Sequence, residues 1–129
     1  MGTLLRFTLL LCLSAMVLTT VGCGRSDLPP LGTVRGTVTL EGKPAAGLIV
    51  SFAPEKGRAA VGTADAAGNY ALTYVHGTNG AQVGPATVNF AWPDGVEGKP
   101  PIPAKFLGKS APKVEVKAGK NTFDFDLKK

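Results

Sequence analysis

The chain is poor in the residues from which most active sites are built. Its 129 residues include one histidine, His76, and two cysteines, Cys12 and Cys23. A single histidine without cysteine partners cannot provide the several nitrogen and sulfur ligands of a typical zinc site. As a catalytic base, His76 would need a nucleophile and an orienting group, and the sequence pattern offers neither. We therefore expect His76 to be an exposed loop residue, and we predict no metal, no cofactor and no enzymatic activity.

A sustained helical period is also missing after residue 22. Glycine and proline are frequent instead, with 17 and 10 residues, and both favour the turns that join short strands. The residues beyond the first two dozen are enough for one small core. The net charge of +5 is compatible with a lysine-rich solvated surface. The composition thus predicts a single all-β domain.

The first 22 residues predict an export signal. Arg6 gives a positively charged start, and an apolar run of 15 residues follows from 7 to 21. As a helix this run would be about 22 Å long, which is short of the ~30 Å hydrocarbon core of a bilayer. A basic start followed by a short apolar core is typical of a signal peptide. Cys12 would be removed with this leader.

The motif Thr20-Val21-Gly22-Cys23 resembles the lipobox of bacterial lipoproteins, although Thr20 replaces the usual leucine. The resemblance implies cleavage after Gly22 and attachment of diacylglyceryl and palmitate-type chains to Cys23. An unmodified lone thiol would be a liability in an oxidising compartment, and two or three acyl chains give a stable membrane anchor. The alternative is an ordinary secretory leader beside an incidental cysteine. We predict a leader at 1–22, a lipidated flexible tether at 23–32 and a domain at 33–129.

Period-two alternation of apolar and polar residues predicts seven short strands in the domain. The turn signals at 41–44 and 65–69 separate several of them, and residues 118–121 separate the last two, which we expect to pair as a hairpin. Such spacing favours a seven-stranded antiparallel β-sandwich. The proline-rich segment 93–112 is predicted to be a long surface connection. The predicted strands are 33–40, 48–52, 59–64, 70–74, 87–92, 113–117 and 122–127.

Several of these segments resemble carboxypeptidase regulatory-like domains, which have a transthyretin-like (prealbumin-like) sandwich. The similar segments are 33–44, 50–54 and 62–72, while 102–106 and 114–121 resemble a short lipoprotein branch of planctomycete-type bacteria. The resemblance covers nearly all of the domain and implies its fold, but it says almost nothing about activity.

One enzyme with the transthyretin-like fold, 5-hydroxyisourate hydrolase, provides an alternative function. Its site requires several histidines and arginines and a Tyr-Arg-Gly-Ser ending. This chain has one histidine and ends in Asp126-Leu127-Lys128-Lys129. We therefore rank a transthyretin-like hydrolase below any non-catalytic function.

Two groups of acidic residues are candidate sites. Asp124 and Asp126 share one face of the last predicted strand, with Glu115 expected on its neighbour, and paired carboxylates can act as acid and base or hold a cation. Because the same alternation places them opposite Phe123 and Phe125, we expect a solvated outer face. The oxygen-rich segment 65–69 lacks the six to eight ligands that Ca²⁺ needs, and we expect Asp65 to cap a turn.

The aromatic and basic residues offer candidate ligand contacts. Tyr70, Tyr74 and Phe90 follow the strand period and are predicted to lie in the core. Trp92 ends its strand beside Pro93 and, when exposed, could stack on a sugar ring. Lys105 is a second candidate contact, within a set of lysines that could face an anionic membrane or wall polymer or could simply be solvated. That set is Lys99, Lys105, Lys109 and Lys113.

Together these features predict a membrane-anchored lipoprotein of the cell envelope, on the periplasmic or outer-membrane face. Its sandwich would be a non-catalytic binding or structural module that contacts an envelope protein or glycan through a loop or an edge strand. A carbohydrate-binding module is the main alternative. Export argues against nucleic acid as a partner.

Overall fold

The computed structural model describes residues 28–75 and 77–129. His76, Cys23 and the predicted leader at 1–22 lie outside the described residues. The strands are β1 (Leu31–Leu40), β2 (Lys43–Pro44), β3 (Ile49–Pro54), β4 (Ala60–Thr63), β5 (Asn69–Ala71), β6 (Thr73–Val75), β7 (Thr78–Asn79), β8 (Ala81–Gln82), β9 (Gly84–Ala91), β10 (Lys113–Val116), β11 (Gly119–Thr122) and β12 (Phe125–Leu127).

These strands form two six-stranded sheets that face each other, which confirms the predicted β-sandwich. Sheet 1 is organised around β1, which pairs antiparallel with β2, β5 and β8 and parallel with β11 and β12. Sheet 2 has the order β10-β9-β3-β4-β6-β7, and all its pairings are antiparallel. The last strands pair in parallel with β1, which a simple meander would not produce.

The core lies between the inner faces of the two sheets. The alternation of apolar and polar residues in β1 directs Val34, Val38 and Leu40 to one face, and all three are buried. Phe123 and Phe125, which we expected to be buried, are only partly so and pack against the core from its rim. The most completely buried side chains are Phe52, Leu48, Leu72, Leu127, Val34, Val38, Val50, Val88 and Val116.

The predicted hairpin between 113–117 and 122–127 is wrong. β10 pairs with β9 in sheet 2, whereas β11 and β12 pair with β1 in sheet 1. The chain thus crosses from one sheet to the other at Lys117 and Ala118 instead of folding back on itself. As a consequence, Glu115 does not lie on the strand next to Asp124 and Asp126.

The predicted strand 70–74 is divided between the sheets. Tyr70 pairs with Gly36 of β1, but Thr73 pairs with Val61 of β4 in sheet 2. Leu72 lies between them and is 1% exposed. The alternation continues through this corner because both halves direct every second side chain into the same core.

The turn predicted at 65–69 is confirmed. Asp65 Oδ1 accepts the backbone N–H groups of Ala67 and Asn69, both at 2.9 Å, as expected for a carboxylate that caps a turn. Gly68 has a φ of 83°, and a Cβ there would lie 2.6 Å from the Val38 carbonyl oxygen. Glycine is therefore required at this position for both its backbone conformation and its size.

The start of β1 differs from the sequence prediction, whereas the long connection between β9 and β10 agrees with it. β1 begins at Leu31, two residues before the expected start, and Val83 donates to the Pro30 carbonyl at 2.9 Å. The connection from Trp92 to Pro112 contains no strand, as predicted, and is shaped by two 3₁₀ turns, Ala104–Phe106 and Gly108–Ser110. Within the described residues no helix is long and apolar enough to cross a membrane.

We expect Phe52→Ala to destabilise the domain more than any change at the rim. Phe52 is 1% exposed and its ring contacts Phe123 and Phe125 at centroid distances of 5.6 and 6.3 Å. Truncating such a residue costs about 3–5 kcal/mol. Urea denaturation should show this loss, whereas Val61→Ala, at a 43% exposed position, should change the free energy of unfolding by less than about 0.5 kcal/mol. Equal effects of the two variants would contradict the assignment of the core.

Candidate functional site

The contact between the middle of β1 and the last segment of the chain shapes the candidate site. Gly36 has no side chain, and a Cβ at this position would clash with the carbonyl oxygen of Phe123. That oxygen accepts a hydrogen bond from the Tyr70 hydroxyl. The Phe123 amide donates to the Arg35 carbonyl at 2.9 Å. Glycine at position 36 therefore permits the close approach of the last segment to β1.

The Asp124 carboxylate takes the place of a main-chain acceptor for the Thr37 amide. In a regular parallel ladder, the Thr37 amide would donate to the Phe123 carbonyl. Here the Phe123 carbonyl accepts the Tyr70 hydroxyl, and Asp124 Oδ1 accepts the Thr37 amide at 2.8 Å and the Thr37 hydroxyl at 3.0 Å. Asp124 is exposed, as expected for a solvated outer face, and its carboxylate also bonds the backbone of β1.

Asp126 lies two residues further on and is a surface group of the expected kind. Its side chain is 51% exposed, and it forms an ion pair with Lys128 at 3.0 Å. Its Oδ1 also accepts the Thr39 hydroxyl at 3.0 Å. The hydrogen bond from Lys128, helped by that from Thr39, lowers the pKa of Asp126. Since Glu115 lies in the other sheet, the three carboxylates that we expected to be neighbours are not brought together.

A polar cleft of about 660 Å³ lies on the outer face of sheet 1. Its centre is Arg35, which has Ala71 of β5 on one side and Thr122 of β11 on the other. In the next row, Thr37 lies between Asn69 and Asp124. The small residues Gly36 and Ala71 also line the cleft, as does the turn residue Asp65.

Several polar groups of the cleft remain available to a ligand. Arg35 forms no ion pair with any residue in 28–75 or 77–129. Its guanidinium can donate two parallel hydrogen bonds to a carboxylate or phosphate group. The Asn69 amide and the Thr122 hydroxyl can donate to or accept from hydroxyl groups. Because the carboxylates of Asp65 and Asp124 line the same cleft, the arrangement can recognise a hydroxyl-rich ligand whose acidic group lies at Arg35.

Trp92, one of the two candidate ligand contacts, lies in a different groove of about 220 Å³ together with Lys43 and Lys99. Its indole N–H donates to the Pro100 carbonyl at 2.8 Å, and the Lys99 ammonium lies 5.3 Å from the ring centroid. Both interactions attach the long loop to the end of β9. A sugar that stacked on this face would have to compete with Lys99.

Lys105, the other candidate contact, does not line the Trp92 groove. Its ammonium lies 5.2 Å from the ring centroid of Phe106, which in turn meets Phe90 edge to face. Lys99, Lys105, Lys109 and Lys113 are all exposed, as solvated loop lysines would be. No group of three or more metal-ligating side chains occurs among the residues described.

Sequence reasoning did not identify Arg35 and Tyr70 as parts of one site. The strand period indicates that Arg35 points outward and Tyr70 inward, and both indications are correct. The site arises from the pairing of β1 with β5 and β11, and those partners are 32 or more positions away in the sequence. No local pattern around Arg35 indicates such neighbours.

Comparison with known proteins adds no family to this description. No family model, no curated protein and no solved structure matches the chain. The resemblance to carboxypeptidase regulatory-like domains therefore stays a prediction.

The Tyr70 hydroxyl should make the domain sensitive to alkaline pH. Tyr70 is 3% exposed, and burial, together with the Asp124 carboxylate, raises the pKa of its phenol. A raised folded-state pKa means that the stabilisation is complete below the unfolded-state value of about 10 and is lost as the pH rises further. Urea midpoints of the wild type should therefore stay level from about pH 8 to about pH 10 and fall as the pH rises beyond that value.

Tyr70→Phe is the control for this measurement. It removes the hydrogen bond to Phe123 and should be less stable at pH 8, by about 1–3 kcal/mol for a buried acceptor left unsatisfied. It should also lose the part of the alkaline slope that Tyr70 causes. A slope identical to that of the wild type would show that Tyr70 ionises as easily in the folded domain as in the unfolded chain.

Proposed function

We propose that this protein is a lipid-anchored, non-catalytic binding module of the bacterial cell envelope. The observation that carries the proposal is the polar cleft around Arg35, where a cation and several hydroxyl and amide groups face outward from a rigid sheet. Sites built on strands hold their side chains in position better than sites on loops. The cleft therefore has the character of a binding surface.

The ligand class that we assign to the cleft is a hydroxyl-rich glycan with an acidic group at Arg35, away from the carboxylates of Asp65 and Asp124. The Arg35 guanidinium suits the carboxylate of an acidic sugar. Asn69, Thr63 and Thr122 offer an amide and hydroxyls to the ring hydroxyls, within the same cleft. This chemistry supports the carbohydrate-binding form of the function, with the cleft in place of Trp92 as the contact surface.

The local structure supports a non-catalytic role. Asp65 and Asp124 each use Oδ1 to bond the main chain. Asp126 is paired with Lys128. A general base must reach the proton of a nucleophile or a water with a group that is not committed elsewhere. Carboxylates that cap turns and strands are poor candidates for that task.

The predicted anchor is compatible with where the sandwich begins. Within residues 28–75 and 77–129, Pro30 is the first with a main-chain hydrogen bond to the domain, at Val83. The eight residues at 23–30 would span at most about 29 Å when fully extended. An anchor on Cys23 would thus keep the sandwich close to the membrane surface while leaving its orientation adjustable.

Mass spectrometry of the mature N-terminus tests the anchor. We expect cleavage between Gly22 and Cys23 and the added mass of two or three acyl chains on Cys23. Cys23→Ser should release the protein from membranes, because the acyl chains supply about 0.8 kcal/mol per buried CH₂. Cys12→Ser is the matched control and should leave the protein membrane-bound. An unmodified Cys23, or cleavage elsewhere, would contradict the proposal.

Amide chemical shifts of the full-length chain in detergent test the cleft. A uronic-acid oligosaccharide should shift the signals of Thr37, Asn69 and Thr122, and a neutral oligosaccharide of the same length should bind more weakly. Arg35→Ala should reduce affinity at least about tenfold, because a charge-assisted hydrogen bond contributes about 1.5–3 kcal/mol. Lys43→Ala alters the Trp92 groove instead and should bind normally. Loss of binding in Lys43→Ala but not in Arg35→Ala would move the site to Trp92.

A further inference from the structure

β10 forms one edge of sheet 2. One hydrogen bond shows which main-chain groups of β10 point toward β9 and which point away from the sheet. The Val88 amide donates to the Pro112 carbonyl at 2.8 Å. Since hydrogen-bonded pairs alternate along an antiparallel ladder, Val114 and Val116 are the next residues bonded to β9. The main-chain N–H and C=O groups of Lys113 and Glu115 therefore point away from the sheet.

The open part of this edge ends at Lys117. The Lys117 amide donates to Asn121 Oδ1 at 2.9 Å, and the Lys117 carbonyl accepts from Asn121 Nδ2 at 2.7 Å. Asn121 thereby occupies the main-chain groups that would continue the edge. Two residues, Lys113 and Glu115, remain as pairing positions in β10, and they carry opposite charges.

We propose that β10 pairs antiparallel with β10 of a second copy of this chain, with Val114 on the twofold axis. In this register Lys113 of each copy lies opposite Glu115 of the other. Both residues are hydrogen-bonding positions, so the two copies would share about four main-chain hydrogen bonds. The two sheets then continue as one.

The charges select this register over the nearest alternative. A pairing centred on Glu115 would place glutamate opposite glutamate and Lys113 opposite Lys117, and like charges directly opposite are destabilising. The register centred on Val114 gives two Lys–Glu pairs instead. Charged residues on edge strands usually prevent unwanted pairing. In β10 the two opposite charges would disfavour pairing with other strands and favour pairing with a second copy of β10.

The Val114 side chain, which lies on the proposed twofold axis, is also compatible with the pairing of two β10 strands. Val114 is only partly buried in one copy and packs at the border of the core. Residues that face each other in a non-hydrogen-bonded antiparallel pair have Cα atoms about 4.5 Å apart. The two Val114 side chains would therefore cover each other, and cysteines at this position would meet the geometry of a disulfide.

Cysteine cross-linking of the full-length chain in membranes tests the proposal. Under mild oxidation, Val114→Cys should form a covalent dimer at least about tenfold more efficiently than Val61→Cys. Val61 is an apt control because it is an exposed valine at 43% and lies on β4, inside sheet 2. The unsubstituted chain reports any dimer formed through its native cysteines. Equal cross-linking at the two positions would overturn the proposal.

Charge reversal distinguishes the proposed register from chance collision. In the Val114→Cys background, Lys113→Glu or Glu115→Lys alone should reduce dimer formation about tenfold, because each creates two like-charge pairs. The double reversal should restore it. Failure of the double variant to recover, or no effect of the single changes, would also overturn the proposal. Dimer is scored on membrane-bound and released chain alike, so a failed anchor at Cys23 would be seen separately.

Discussion

The close approach of the Phe123 carbonyl to Gly36 is the contact on which the arrangement of sheet 1 depends. It allows the last segment to run parallel to β1 on both sides of this point, through β11 and then β12. At the same point the Phe123 carbonyl accepts the Tyr70 hydroxyl, and the Thr37 amide donates to Asp124. A side chain at position 36 would collide with the Phe123 carbonyl, so this group of contacts requires glycine there.

The candidate site follows from the same contact. Asp124 lies beside Thr37, and the parallel strand places Thr122 beside Arg35, so the cleft combines residues from both ends of the domain. The cleft contains one cation, Arg35, and the carboxylates of Asp65 and Asp124, of which Asp124 also bonds the Thr37 amide. The recognition of hydroxyl groups and of one acidic group that we propose for this cleft would take place on the outer face of a sheet.

Much of the fold could be predicted because alternation is a local property. The period of two in β1 correctly separated Val34, Val38 and Leu40 from the outward residues, and Asp65 correctly marked a turn. The pairing of strands could not be predicted in the same way. The segment 118–121 has the composition of a hairpin turn, yet β10 and β11 belong to different sheets, because the long-range pairing with β1 outweighed local turn preference. The role of Asp124 was missed for the same reason, since its partner Thr37 is 87 positions away.

The two surfaces proposed for recognition do not compete with each other. The cleft occupies the outer face of sheet 1, whereas β10 presents its main chain in the plane of sheet 2. A contact through two pairing residues per copy is small, and association must overcome a loss of freedom worth several kcal/mol. Confinement of both copies to one membrane would reduce that cost by raising their effective concentration. A pair of clefts held on one surface would then bind a repeating polymer with an avidity that neither cleft provides alone.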